Sequence, residues 1–397
     1  MSDLSNGPRV LYFCSRLPGV VQSGLDLRVQ GQILSLLPTC QVSVFGLNGQ
    51  GNKFDERIDS WQSSKDLTVS RQIDAEAGIK ALSLGGHPFA ARYSEQTASE
   101  LRQELLTFKP DHVILSRIDL SVYIDVIRGI FSGQLILDLD ESVESTGPSI
   151  LSVMTHLGQG LVFKTFCNRV KDAEEESIRK VDQVWVSSKV EMDRVRSTFD
   201  SVSAKIWTVP NSIFVEAYAP NPGFGRNART LIYPASFAYE PSVHAAKFLI
   251  NELMPIIPEL KLKFVGSHIP KWMREAATGN VSVEGPVANI VPYLQSSSAL
   301  VVPLKAGGGT RLKVIEALAS GLPIVSTAFG VEGLGLTKGE DYLEAETAQE
   351  FAEQCRELLS NDPLAQKLSQ RGLITAKDFS IHSLEKLTFN LISSGAS

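Results

Sequence analysis

The residues best suited to chemistry lie in one segment, PLKAGGGTRLKVIEALASGLPIVST, at residues 303–327. Its residues that could bind an anion or a sugar are Gly307, Gly308, Gly309, Thr310, Arg311, Lys313 and Glu316. Glycines let a backbone approach an anion closely, arginine offers a forked donor for phosphate oxygens, and lysine adds a positive charge. This combination indicates a binding site for a diphosphate.

Glu316 suggests a second ligand group beside the phosphates. It lies about one and a half helical turns into the helix that RLKVIEALASG predicts. A carboxylate so near a phosphate site is better explained by hydrogen bonds from ribose hydroxyls than by contact with the phosphates. The structural alternative is a tight glycine turn, a solvated helix face bearing Arg311 and Lys313, and a carboxylate that pairs within the fold. The ordered combination of residues favours the nucleotide site.

The elements that must position these residues form a βαβ unit. SSALVVPL predicts a strand, KAGGGT a loop at its carboxyl end, RLKVIEALASG a helix and LPIVST the next strand. In open parallel sheets, ligands collect outside the carboxyl ends of the strands, where helix amino termini expose unpaired N–H groups. The sequence therefore places the candidate site at such an edge.

Strand and helix patterns alternate along the whole chain of 397 residues. Strand-like runs in the first part are RVLYFCSRL, CQVSVFGL, DHVILS, QLILDLD and DQVWVSS, and those in the second part are TLIYPA, LKFVGS, VSVEG, ALVVPL and PIVST. A segment rich in proline, glycine and asparagine at residues 209–230 separates the two parts and is typical of a linker. The pattern predicts an α/β protein with two Rossmann-like domains.

Composition narrows the function classes. A net charge of −6 gives no general electrostatic reason to bind nucleic acid. The polar start MSDLSNGPRV lacks the form of a signal peptide, and no stretch approaches the roughly 18 apolar residues of a membrane span. The cysteines lack metal-ligand spacing and are expected to be buried free thiols; they are Cys14, Cys40, Cys167 and Cys355. We therefore expect a cytoplasmic protein.

Residues 303–327, followed by GVEGL, resemble the nucleotide-sugar signature of retaining GT-B glycosyltransferases of the GT4 type, in the branch whose loop reads GGGxRLK. Supporting segments are RVLYFCSRLPGVVQSGLDLR, VPN at 209–211, FVGS at 264–267 and VEGPVANIVPYL at 283–294. The resemblance implies a GT-B fold, with two Rossmann-like domains that face a central cleft. We expect an acceptor-side domain at 1–208 and a nucleotide-sugar-binding domain at 209–377, with a helix at about 378–397 that packs back on the first.

The resemblance also implies roles for individual residues. Glu316 would bind the donor ribose, while Arg311 and Lys313 would face the diphosphate and act in catalysis. The loop at Gly24 would approach the diphosphate or the transferred sugar from the opposite domain. Val287 and its neighbours would lie beside the base.

Two departures from the family pattern concern the sugar contacts. Many members carry two glutamates eight positions apart, but Gly308 stands eight residues before Glu316. The usual Arg and Lys pair after the first strand of the second domain is also absent, since YPASFAYEPSVHAAK offers only Lys247. We interpret Arg311 and Lys313 as replacing that pair.

Other polar residues are weaker candidates. The segment DLD at 138–140 has two interpretations. It forms either a turn that caps a helix or part of the cleft, where Asp138, Asp140 or Glu141 would orient the acceptor. Asp140 is the catalytic candidate among these three. His268 follows FVGS at a predicted strand end, so it and Ser267 are expected to line the cleft. No trustworthy metal-binding DxD motif is present. We expect neither a metal nor a cofactor besides the donor substrate.

The predicted function is transfer of a sugar from a nucleotide diphosphate sugar to a glycan or lipid-linked acceptor, with retention and without metal, in cell-surface polysaccharide or glycoconjugate synthesis. Two alternatives stay open: a binding or scaffold subunit that has lost catalysis, and an epimerase or hydrolase on the same fold. No nucleic-acid partner is expected. The basic stretch at 163–180 leaves open a peripheral contact with the inner face of the membrane, although its acidic block favours a solvated helix.

Overall fold

The computed structural model describes residues 7–15, 24–47, 67–69, 86–154, 157–199, 203–220 and 229–394. Two separate parallel sheets organise these residues. We refer to residues up to 208 as the N-terminal half and to later residues as the C-terminal half. The loop before Gly24 and residues 221–228 of the predicted linker lie outside the described residues.

The N-terminal sheet has seven strands in the order β3-β2-β1-β4-β5-β6-β7. The strands are β1 (Arg9–Cys14), β2 (Gln41–Gly46), β3 (Leu67–Val69), β4 (His112–Ser116), β5 (Gln134–Asp140), β6 (Gln183–Val186) and β7 (Lys205–Thr208). All pairings are parallel. The central strands are apolar because helices cover both faces of a parallel sheet.

Helices follow the strands of this sheet. They are α1 (Gly24–Leu36), α2 (Glu95–Phe108), α3 (Ile124–Arg128), α4 (Val143–Val153), α5 (Leu157–Lys180) and α6 (Lys189–Thr198), with 3₁₀ turns at Ala90–Arg92 and Ile118–Tyr123. Ser94, Ser142 and Ser188 cap α2, α4 and α6, and each side chain accepts a hydrogen bond from a backbone N–H of the first turn. Such caps satisfy donors that a helix start leaves free.

The C-terminal sheet has six parallel strands in the order β10-β9-β8-β11-β12-β13. They are β8 (Thr230–Ser236), β9 (Lys261–Ser267), β10 (Val281–Glu284), β11 (Ala299–Val302), β12 (Ile324–Ser326) and β13 (Leu343–Glu344). Its helices are α7 (Glu240–Phe248, continued by a π turn at Leu249–Leu253), α8 (Lys271–Ala276), α9 (Val291–Gln295), α10 (Leu312–Ala319), α11 (Ala348–Ser360) and α12 (Asp362–Thr375). Short 3₁₀ turns lie at Val215–Tyr218, Phe329–Val331 and Ala376–Phe379.

The last helix, α13 (Ile381–Ser394), returns to the N-terminal half and contacts α1. Leu391 and Ile392 are buried in the cluster that includes Ile33 of α1. The hydroxyl of Thr388 donates to Ser35 Oγ at 3.2 Å. The domain limits at residues 208 and 377 stay a prediction, whereas this helix contact is observed directly.

Several sequence predictions can be compared with these elements. The strand-like runs of both parts form strands, and the four cysteines are free and buried as expected. Gly24, predicted to lie in a loop, is instead the first residue of α1. Within the described residues, no helix is long and apolar enough to cross a bilayer.

The packing of α13 leads to a stability prediction. Ile392 is fully buried, whereas Phe389 on the same helix is 44% exposed. Ile392→Ala should reduce the free energy of unfolding by about 2–4 kcal/mol through lost burial and a residual cavity. Phe389→Ala, the control, should change it by less, because much of the Phe389 ring remains exposed in the folded protein. Thermal and urea denaturation monitored by circular dichroism would measure both, and equal effects would contradict the packing described here.

Candidate active site

The glycine loop, residues 305–310, connects β11 to α10 at the carboxyl edge of the C-terminal sheet. Gly307 and Gly309 have φ angles of 117° and 65°, which residues with a side chain rarely adopt. The loop therefore needs glycine for its path at these two positions. Its backbone leads directly to the amino terminus of α10, where free N–H groups favour an anion.

The glycine loop is seated against α4 of the other half. Ser149 Oγ lies 3.1 Å from the Gly307 nitrogen, which donates to it. A Cβ atom at position 308 would come within 1.8 Å of Thr146 Cγ2 and 2.3 Å of Glu141 Oε2. Gly308 has no positive φ, so its lack of a side chain serves this close approach rather than the backbone path. The two halves thus meet at the candidate site.

Arg311 is the N-cap residue of α10 and is 7% exposed. Its guanidinium donates hydrogen bonds to the carbonyl oxygens of Gly309 and Phe329, and it stacks 4.8 Å from the centroid of the Phe329 ring. These contacts hold a cation beside the glycine loop. The sequence placed Arg311 on the helix, whereas the structure places it at the junction between the glycine loop and α10.

Lys313 lies in the first turn of α10, with Nζ 4.0 Å from the centroid of the Tyr233 ring. Burial, followed by the nearby charge of Arg311, lowers the pKa of Lys313 to about 7, and Glu316 opposes that effect. Burial thus disfavours the charged ammonium. A bound anion would favour its protonated form.

Glu316 lies one turn beyond Lys313 and is half-buried. Its Oε1 accepts a hydrogen bond from the Tyr218 hydroxyl at 2.8 Å. Burial raises the pKa of Glu316 to about 7, although the Tyr218 hydrogen bond and Lys313 both favour the ionised form. This carboxylate retains acceptor capacity beyond Tyr218, since a carboxylate has about four lone-pair sites.

The opposite wall is organised by Arg28 of α1, which is 1% exposed. Its Nε donates to Asp138 Oδ2 at 3.0 Å, and its Nη1 donates to the Val209 carbonyl at 3.0 Å and to Asn211 Oδ1 at 2.8 Å. Asn211 Nδ2 in turn donates to Thr310 Oγ1 at 2.7 Å. One chain of hydrogen bonds thus joins β5, the start of the predicted linker and the glycine loop.

The DLD segment has two different environments. Asp138 is fully buried and bound by Arg28, so its oxygens are already satisfied. Asp140 ends β5 with a φ of 63°, and its Oδ1 lies 3.5 Å from Arg28 Nε but accepts no hydrogen bond. The structure supports a structural interpretation for Asp138. Asp140 stays a candidate near the cleft.

The remaining predicted site residues are spread along the same edge. Gly24 starts α1, and a Cβ there would lie 3.1 Å from Leu312 Cδ1 of α10. Ser267 ends β9, and its Oγ is 3.1 Å from Nδ1 of His268, which is exposed. Val287, half-buried in the loop before α9, packs against the C-terminal core. Gly24 is thus beside the glycine-loop helix, while no described contact joins His268 or Val287 to it.

Sequence reasoning missed three contributors to this site. Arg28 and Asn211 bridge the halves, and Tyr239 places its hydroxyl 3.2 Å from the Gly308 nitrogen, which donates to it. The sequence feature that could have identified Arg28 is its spacing from Gln32 and Ser35, four and seven residues further on. This spacing puts three polar residues on one face of α1. Tyr239 stands in the segment where the family pattern places the missing Arg and Lys pair.

Metal binding has no support among the residues that the structure describes. No group of three or more histidine, cysteine, aspartate or glutamate side chains there could hold a metal ion. The charged groups of the site are instead Arg311, Lys313 and Glu316 at the start of α10, and Glu141, whose Oε2 faces Gly308 and Gly309. This arrangement can stabilise an anion electrostatically and can accept hydrogen bonds from hydroxyl groups.

A known protein family is similar to part of the C-terminal half. Residues 228–361 match the family model described as Glycosyl transferases group 1. This range includes the glycine loop, Arg311, Lys313 and Glu316. No curated protein matches the chain.

Solved structures resemble the chain over almost its whole length. Sucrose-phosphate synthase from Thermosynechococcus elongatus matches with a TM-score of 0.75 at 16% identity. The match covers 98% of this chain and 100% of the synthase chain. TarM has a TM-score of 0.70 at 10% identity, covering 98% and 99%. Anabaena HepE in complex with UDP and glucose has a TM-score of 0.68 at 12% identity, covering 97% and 99%. At these identities the likeness shows the fold, and it confirms the predicted GT-B architecture.

Burial of Glu316 predicts a pH-dependent stability. Its pKa of about 7 in the folded protein exceeds the value of 4.5 for an exposed glutamate. The folded state therefore binds the proton more tightly, and this contribution to stability is lost as pH rises through that interval. Glu316→Gln, which is always neutral, should gain stability relative to the parent by on the order of 1–3 kcal/mol between pH 5 and pH 8.

Urea unfolding at the two pH values measures this difference. Tyr218→Phe is the matched test, because it removes a hydrogen bond to the ionised carboxylate. It should therefore destabilise the protein more at pH 8 than at pH 5. A difference between Glu316→Gln and the parent that is the same at both pH values would contradict the buried, titrating carboxylate.

Proposed function

We propose that this protein is a glycosyltransferase that moves a sugar from a nucleotide diphosphate sugar to a glycan or lipid-linked acceptor, with retention of anomeric configuration and without a metal ion. One observation carries the proposal. The glycine loop, Arg311, Lys313 and Glu316 lie within one loop and two turns of helix, and the glycine loop packs against the other half of a GT-B fold. The match of residues 228–361 to the glycosyl transferase model supports it.

The donor nucleotide is proposed to bind along α10. The diphosphate would lie over the glycine loop, where N–H groups at the helix start and the Arg311 guanidinium offer donors. Lys313 would gain a proton as the anion approaches, because a nearby negative charge raises a lysine pKa. Glu316 would accept hydrogen bonds from the ribose hydroxyls.

The chemistry follows from the charges that develop during transfer. As the sugar leaves, negative charge grows on the diphosphate and positive character grows on the sugar ring. Fixed N–H dipoles and the Arg311 cation stabilise the negative charge without moving a proton. Asp140 at the facing wall is the candidate for orienting the acceptor. Closure of the two halves would exclude water, which competes with the acceptor.

A binding or scaffold subunit is the second candidate, and Gly308 is the observation that favours it. The carboxylate that the family resemblance places at this position is missing, and a protein without it would bind the nucleotide but not transfer the sugar. Donor turnover separates the two proposals. A protein that binds nucleotide diphosphates and releases none from the sugar nucleotide in the presence of acceptor would be the scaffold.

The proposed setting is cell-surface polysaccharide or glycoconjugate synthesis on the cytoplasmic side, with peripheral contact at the inner face of the membrane. Related folds guide the first ligands to test. Among structures with a similar fold, Anabaena HepE is in complex with UDP and glucose, and the pneumococcal O-GlcNAc transferase GtfA is in complex with UDP and GlcNAc. A thermal-shift screen with UDP, GDP, dTDP and ADP tests the donor class, since a ligand of the folded state raises its stability.

Arg311 provides the first test of the phosphate site. Arg311→Ala should weaken binding of the preferred nucleoside diphosphate by about 1.5–3 kcal/mol, the range for a charge-assisted contact. Arg356→Ala is the control, because Arg356 lies on α11 in an ion pair with Glu259. Calorimetry measures both, and unchanged affinity in Arg311→Ala would remove its proposed phosphate role.

Gly24 tests the use of closure. A Cβ at Gly24 already lies 3.1 Å from Leu312 Cδ1, so a tryptophan there would hold α1 and α10 apart. Gly24→Trp should reduce sugar transfer at least about tenfold, more than it weakens binding of the bare nucleotide, because only contacts made in the closed form are lost. Gly24→Ala is the small control. Small-angle scattering with and without sugar nucleotide follows compaction, and normal transfer by Gly24→Trp would reject the model.

A further inference from the structure

Glu141 follows β5 directly and extends from the N-terminal half to the glycine loop of the other half. Its Oε2 lies 2.3 Å from the position of a Cβ on Gly308 and 3.0 Å from that of a Cβ on Gly309. The space that a side chain at position 308 would need is therefore occupied partly by this carboxylate. A charged group from one half thus reaches the loop of the other.

The chain around Glu141 is firmly held. Asp140 has a φ of 63°, which turns the chain at the end of β5, and the Glu141 nitrogen donates to the Leu139 carbonyl at 2.8 Å. The next two residues are anchored by the buried Glu174 of α5, which accepts from Ser142 Oγ at 2.7 Å and from the Val143 nitrogen at 2.8 Å. The carboxylate is presented from a fixed backbone rather than a free loop.

The charges around Glu141 are mixed. Burial and the neighbouring Asp140 raise its pKa to about 7, while Arg117 and Arg311 favour the ionised form and Glu191 opposes it. Arg117 comes from the end of β4, with a φ of 81°. Among the described residues, no donor is hydrogen bonded to this carboxylate. Both oxygens of this half-buried carboxylate can therefore accept a hydrogen bond from a ligand that enters between the halves.

The chemistry of that ligand can be narrowed. A phosphate is an unsuitable partner for Glu141, because two anions repel. A hydroxyl group is suitable, because it donates a hydrogen bond that a carboxylate accepts strongly. The group nearest a diphosphate on the glycine loop is the sugar attached to it. The position of Glu141 therefore matches a sugar hydroxyl rather than the nucleotide.

We propose that Glu141 binds a hydroxyl group of the transferred sugar and so supplies, from the N-terminal half, the carboxylate that position 308 lacks. This inference rests on the proposed function. It also assigns Glu141 to the donor sugar, whereas the sequence had suggested an acceptor role for this segment. The sugar contact then exists only when the two halves are together.

Paired affinities test the proposal. Calorimetry would give the dissociation constants of UDP and UDP-glucose for the parent, Glu141→Gln and Glu141→Ala, with GDP and GDP-mannose as the second pair if the parent prefers guanine. In Glu141→Ala, the affinity for the sugar nucleotide should fall about tenfold or more, the range for a lost hydrogen bond to a charged group. The affinity for the bare nucleoside diphosphate should not fall by more than about twofold, since no contact with it is lost and one negative charge near the phosphates is removed.

Glu144→Gln is the matched control, because Glu144 lies three residues further along, at the surface, in an ion pair with Lys171. It should leave both affinities unchanged. Glu141→Gln keeps the shape of the side chain and loses its charge. Its affinity for the sugar nucleotide should therefore lie between those of the parent and of Glu141→Ala.

The outcomes separate the two levels of inference. If the parent binds none of UDP, GDP, dTDP and ADP, the proposed function is wrong and this inference is overturned with it. If the parent binds nucleotide and Glu141→Ala weakens nucleotide and sugar nucleotide equally, or neither, Glu141 does not contact the sugar and this inference alone is overturned. Selective loss of the sugar nucleotide supports it.

Discussion

The arrangement of the site depends on one buried ion pair, between Arg28 of α1 and Asp138 of β5. Both side chains are at most 1% exposed. Removing two charges from water is costly, and only good geometry with further hydrogen bonds offsets that cost. Arg28 meets this condition because it also binds Val209 and Asn211. Through Asn211 the pair fixes Thr310, so the geometry of the glycine loop is coupled to the interior of the other half.

This coupling explains why the loop tolerates so little side-chain volume. Gly307 and Gly309 are required by their φ angles, whereas Gly308 is required by the proximity of Thr146 and Glu141. The ion pair between Arg194 and Glu332, at 2.9 Å, adds a further contact between the halves. It is half-exposed and therefore contributes little stability by itself. The close approach rests mainly on the buried network and on the absence of side chains in the loop.

Local patterns made much of the fold predictable from the sequence. Apolar runs identified the central strands of both sheets, and the glycine loop with its following helix was placed correctly, because these features depend on neighbouring residues. Strand β7 at Lys205–Thr208 was missed, since only one of its four residues is buried. The links from Arg28 to Asp138 and from Glu141 to Gly308 were also missed. Each joins residues more than a hundred positions apart, and no local spacing records such a contact.

The pKa values of two site residues differ from those that their residue types alone suggest. Counted along α10, Lys313 and Glu316 are an ordinary cation and anion, but burial moves the pKa of each to about 7. Burial makes the charged form of each costly, and their mutual attraction opposes that effect. An anionic ligand with hydroxyl groups would supply the missing interactions to both residues. Sites shaped for a ligand commonly carry such a cost, and here it falls on the two residues that the nucleotide proposal needs most.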